Sequence, residues 1–96
     1  MSTPLATRTQ TAHTQAFCAA AAAQIDTHCY NFTPGDFINL ADAHGVYLVD
    51  DEYDIDIDID DTRLSNAITE IMEVPEITAR CVAEALIDNE IAIRLV

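Results

Sequence analysis

The stretch at residues 50–61 reads DDEYDIDIDIDD, and eight of its twelve residues are acidic. From Asp54 to Asp60 carboxylates alternate strictly with Ile55, Ile57 and Ile59. Period-two alternation is the pattern of a half-buried strand, because successive side chains point to opposite faces. Isoleucine also suits a pleated surface. The pattern predicts a strand over residues 53–59 with the three isoleucines packed inward. Asp54, Asp56, Asp58 and Asp60 would then stand in a row on the outer face, roughly 6.6 Å apart. The apolar run at 46–49 reads as a second strand, and Asp50, Asp51 and Glu52 as the turn of a hairpin spanning 46–59.

The acids are concentrated as well as numerous. Lys plus Arg is 4 and Asp plus Glu is 17, for a net charge of −13, and the cations are Arg8, Arg63, Arg80 and Arg94. Only Asp26, Asp36 and Asp42 precede Asp50. Such a charge repels nucleic acid and anionic membranes and attracts basic partners. Solubility, or life at high salt, is the plain alternative. Cys18, Cys29 and Cys81 are odd in number and scattered, which is no disulfide framework and fits a reducing compartment. The longest apolar run, residues 19–23, is too short to span a bilayer, and the start lacks a signal-peptide pattern. The expectation is one domain of 96 residues in a reducing cytosol, with a loose tail at 1–7.

The rest of the chain patterns as helix. Residues 9–29 contain an alanine run of high helix propensity, with Phe17, Ala20, Ala21, Gln24 and Ile25 on one small-residue face. That face suits close packing inside the fold or in a homodimer. Thr33, Pro34 and Asp36 form a helix start. Phe37, Leu40, Ala41 and His44 share a face, and Gly45 supplies the left-handed end. Asp61 or Thr62 caps a third helix, whose stripe is Leu64, Ala67, Ile68, Ile71 and Met72. Pro75 suits the first position of a fourth helix, with Ile77, Cys81, Ala85 and Leu86 buried. Residues 91–96 are a final strand able to pair with the hairpin. The fold class is therefore α+β: about four helices and a small antiparallel sheet.

Residues 66–96, with their helix, tight turn at Glu73-Val74-Pro75, second helix and strand, resemble the middle of a winged helix-turn-helix domain. The resemblance implies a winged-helix-like C-terminal part, with residues 33–45 as its first helix. Two features depart from that family. Glu73 stands where it commonly has glycine, and the would-be recognition helix exposes Glu76 and Glu84 beside a single Arg80. Groove reading needs positive character, since phosphate neutralisation supplies most of the affinity. The resemblance implies a scaffold that no longer binds DNA.

The aspartate row has three readings. It is a solvated face; or it mimics nucleic acid, its short, regularly placed carboxylates standing in for phosphates along one strand; or it is a calcium loop. Asp54, Asp56 and Asp58 copy the first ligand positions of an EF-hand, but Ile59 replaces its glycine and Ser65 its final glutamate. In size, charge and presentation the chain resembles small acidic phage-encoded inhibitors, the anti-CRISPR and anti-restriction DNA mimics. That resemblance implies a partner that is a basic nucleic-acid-binding protein or nuclease complex, with no direct contact to nucleic acid or membrane. The contact would fall on Asp50, Asp51, Glu52, Asp54, Asp56, Asp58, Asp60 and Asp61, extended by Glu73, Glu76 and Glu84. Tyr47 and Tyr53 read equally as interface anchors or core. The alternative is an interaction or oligomerisation module, or anti-repressor, that binds through its apolar helix faces. His13, His28 and His44 lack metal-ligand spacing, and no nucleophile or phosphate-loop pattern occurs. No metal, cofactor or enzymatic activity is expected.

Overall fold

The computed structural model describes residues 5–27 and 31–96, with side chains of the first helix from residue 12 onward. In chain order the elements are α1 (Leu5–Thr27), α2 (Pro34–Ala43), β1 (Val46–Asp50), α3 (Thr62–Glu73), α4 (Ala79–Asp88) and β2 (Ile91–Leu95). Among the described residues the architecture is α+β: four helices and one two-stranded antiparallel sheet. None of these helices is long and apolar enough to cross a membrane. Of the tail expected over 1–7, residues 5–7 are helical instead, since α1 already runs from Leu5. Residues 1–4, His28, Cys29 and Tyr30 lie outside the described residues.

The core forms where apolar spacing matches helical period. On α1 the buried residues are Phe17, Cys18, Ala21, Ala22 and Ile25. The face is rotated from the expected one: Cys18 and Ala22 are inside, Gln24 is exposed and Ala20 only half-buried. Burying an amide without a partner is costly, whereas a thiol behaves as a small apolar group. Burial pushes the Cys18 thiol up to about 11, so it is neutral at physiological pH. The small face packs inside the chain's own core, and α4 is the main neighbour of α1.

Thr33 and Asp36 cap α2 reciprocally: the Asp36 N–H donates to Thr33 Oγ1 at 3.2 Å, and the Thr33 N–H to Asp36 Oδ2 at 3.0 Å. Both orphan donors at the helix start are thereby satisfied. Phe37 lies 5.5 Å, centroid to centroid, from both Phe17 and Phe32, which welds α2 to α1. Gly45 turns the chain out of α2 with φ +72°. On α3, Leu64, Ala67, Ile68 and Ile71 are buried, while Met72 at the stripe's edge is exposed.

Two boundaries differ from the pattern. α4 begins at Ala79 rather than at Pro75, because Thr78 is the N-cap and accepts the Cys81 N–H at 3.2 Å. Pro75 sits in the bend and holds Val74 extended at ψ 150°, as a following proline requires. The shift moves Val82 to the centre of the buried stripe, with Ala85 and Leu86, and leaves Ile77 and Cys81 half-buried.

The second difference is in the sheet. β1 pairs with β2, in the register Val46↔Leu95 through Asp50↔Ile91, and not with a strand at 53–59. The expected hairpin partner is reduced to one antiparallel bridge, Val49↔Asp56. Two bonds hold it: the Asp50 N–H to Ile55 C=O at 2.8 Å and the Ile57 N–H to Leu48 C=O at 3.0 Å. Asp54 adopts φ +58°, which breaks extended geometry. Aspartates facing one another along a strand also repel. The isoleucines therefore do not share a face. Ile57 is 7% exposed, Ile55 64% and Ile59 52%.

Candidate functional site

The acidic segment is a loop fastened at both ends by one arginine. At its start, Asp50 Oδ1 accepts the backbone N–H groups of Glu52 (2.9 Å) and Tyr53 (2.8 Å), which winds the chain into a tight turn. Asp50 Oδ2 takes Arg63 Nη1 at 2.6 Å. At the loop's end, Asp61 caps α3. Its Oδ1 accepts the Arg63 backbone N–H at 2.9 Å, and its Oδ2 takes Arg63 Nη2 at 2.8 Å. The planar guanidinium serves two carboxylates that a lysine could not hold in fork geometry.

These contacts set the charges. Asp50 lies below the usual carboxylate range, first because the Tyr53 N–H bonds its ionised form and then because Arg63 does. Arg63 and its backbone N–H lower Asp61 in the same way. Both carboxylates raise the Arg63 guanidinium, so it stays charged. Asp54 is held differently: Arg94 Nε on β2 donates to Asp54 Oδ1 at 3.0 Å, across the sheet's end. On α4, Arg80 pairs with Glu84 at 2.9 Å, one turn apart.

The eleven acids expected to form one contact surface thus separate by role. Asp50 and Asp61 are structural anchors, and Asp54 and Glu84 are neutralised by arginines. Asp51, Glu52, Asp56, Asp58 and Asp60 remain exposed on the loop. Among the described residues nothing bonds or pairs with their side chains. Arg63, Arg80 and Arg94 are already engaged, so the charge between Asp51 and Asp60 is largely uncompensated. The even row predicted for Asp54, Asp56, Asp58 and Asp60 is absent, because the segment bends instead of running as a strand. Glu73 and Glu76 are exposed too. Glu73 ends α3, about 18 Å from Asp61 at 1.5 Å per residue, and Glu76 lies in the bend beyond it, so they do not extend the loop.

The loop surface is also not purely acidic. Tyr53, Ile55 and Ile59 are exposed between the carboxylates. Ile59 leans over the start of α2, where a Cβ on Gly35 would meet its Cδ1 at 3.0 Å. Tyr47 is exposed on β1, so neither tyrosine belongs to the core. Sequence reasoning missed Arg63 as the organiser of the loop. The available signal was its position, since it is the first cation after the acidic run and lies within two residues of Asp61. Chemically, the loop offers several ionised acceptors beside apolar side chains, a surface able to take arginine or lysine groups through charge-assisted bonds.

Compared with protein-family models, curated proteins and solved structures, the chain matches none.

Proposed function

We propose that the chain is a non-enzymatic inhibitor that seats its acidic loop on a basic nucleic-acid-binding surface of another protein and blocks it. The setting we infer is phage-encoded, anti-CRISPR-like inhibition of a host defence nuclease complex in the host cytosol. The observation that carries this reading is the uncompensated charge at Asp51, Glu52, Asp56, Asp58 and Asp60, on a loop pinned at both ends by Arg63. A solubilising surface needs no such pinning, whereas a binding surface loses less entropy on association when it is held in advance. Exposed Ile55, Ile59 and Tyr53 favour a protein partner, because they offer apolar contact that a row of phosphates does not. The alternative, binding through the apolar faces of the helices, has less surface available: the stripes of α1, α3 and α4 are in the core.

The test uses a DNA column loaded with host lysate. The wild-type chain should displace defence nucleases from the column, and the Asp51→Asn, Asp56→Asn, Asp58→Asn, Asp60→Asn quadruple variant should not. Displacement should also weaken as salt rises, since exposed charges are screened within about 8 Å at physiological ionic strength. Equal displacement by the variant would sink the proposal.

A further inference from the structure

The acidic loop presents apolar side chains as well as charge. Its middle is fixed in the core by buried Ile57, and its ends are held by Arg63. The side chains around Ile57 are left outside: Tyr53, Ile55 and Ile59 are all more than half exposed. Exposed carboxylates stand between them at Asp56 and Asp58. Resting on the basic-partner reading above, we propose that this loop fits a single-stranded nucleic-acid channel of the partner and not a duplex-binding face.

What lies between the charges supplies the first argument. In a duplex the bases are paired and stacked inside, so its readers meet phosphates and polar base edges. In a single strand the base faces are bare. Channels that hold one combine basic groups with aromatic side chains on which the bases stack. The loop has both halves of that pattern, carboxylates in place of phosphates and Tyr53, Ile55 and Ile59 in place of bases. A face of arginines and lysines would leave those three side chains without apolar cover, whereas aromatic platforms would cover them.

The second argument is the number and path of the charged rows. A duplex shows a phosphate row on each side of its grooves. The loop supplies one row. The helix acids that could have supplied another, Glu73 and Glu76, lie at the end of α3 and in the bend after it. The row also bends, with Asp54 at φ +58° and only a single bridge to β1. Duplex DNA resists bending over so short a length, whereas a single strand follows the channel that holds it. Charge then draws the loop to any basic surface, and the apolar side chains select among such surfaces.

The test runs the displacement assay on two columns charged with the same host lysate, one of single-stranded and one of duplex DNA, and follows released nuclease activity. The wild-type chain should release it from the single-stranded column at a concentration roughly tenfold below that needed on the duplex column, the effect of one well-covered apolar side chain. The Tyr53→Ser, Ile55→Ser double variant keeps every carboxylate. Both positions are exposed, so its thermal melt should match wild type, and Ile55→Ser alone serves if it does not. The variant should need roughly ten times more protein for half-release from the single-stranded column and lose the preference between columns. Equal or better release from duplex DNA overturns the inference and leaves the inhibitor reading standing. Release from the single-stranded column that the variant matches does the same. Release from neither column ends the inhibitor reading, and this inference with it.

Discussion

The helix α3 and the loop that precedes it are built from similar material and end differently. Both carry regularly spaced aliphatic side chains among polar ones. On α3 all four of Leu64, Ala67, Ile68 and Ile71 are buried. On the loop only Ile57 of three isoleucines is. The helix satisfies its own backbone bonds, so its stripe is decided locally and needs only a core to face. A strand borrows its bonds from neighbours. Here β2 occupies one edge of β1, and the other edge holds the acidic segment by a single bridge and the turn bond from the Asp54 N–H to Asp50 C=O. Electrostatics then decides the outcome: Arg63 and the turn around Asp50 give the chain a bend that alternation alone would not.

The contrast is open to direct tests by substitution. Leu64→Ala should cost about 2–5 kcal/mol, the range for truncating a fully buried leucine, read from denaturant unfolding. Ile57→Ala should fall toward the low end of that range, about 2 kcal/mol; a cost near zero would mean that the bridge carries no core weight. Asp61→Ala should cost about 0.5–2 kcal/mol through loss of the N-cap. Ile55→Ala should stay within about 0.5 kcal/mol of wild type, as for exposed positions without special roles. A loss as large as that of Leu64 would restore the buried strand that the alternation predicts.

Acid sharpens the Asp61 result. Arg63 lowers the folded-state value of Asp61, so its stabilising contribution is complete above the unfolded-state value. It fades as pH falls through the lowered one. Asp61→Asn lacks that contribution. The stability gap between wild type and this variant should therefore be constant near neutrality and narrow below about pH 4, the ordinary aspartate range. Thermal melts at a series of pH values would show it, and a gap that widens on acidification would contradict the Arg63 assignment.

Much of the fold was legible because helices are local. The Thr33 cap, the turn at Gly45 and the α3 stripe are each written within a few residues of where they act. The start of α4 was misplaced because Pro75 and Thr78 both suit a helix start, and Thr78 wins by supplying an oxygen to the Cys81 N–H. The partner of β1 was half legible: residues 91–96 were expected to join the sheet and do so as β2, but nothing in residues 46–50 specifies that they replace 53–59. The site was legible as charge but not as shape. Which carboxylates are free depends on where Arg63, Arg80 and Arg94 reach, and Arg94 meets Asp54 only once the sheet has closed.

That long-range pairing has a consequence for synthesis. β1 leaves the ribosome well before β2, with all of α3 and α4 still to come. Until then the edge that β2 will take is uncovered, while α2 packs on the strand and the bridge from Ile55 to Ile57 holds its other edge. An exposed strand edge invites association between nascent chains. The neighbouring carboxylates would hold such chains apart by like-charge repulsion during the interval.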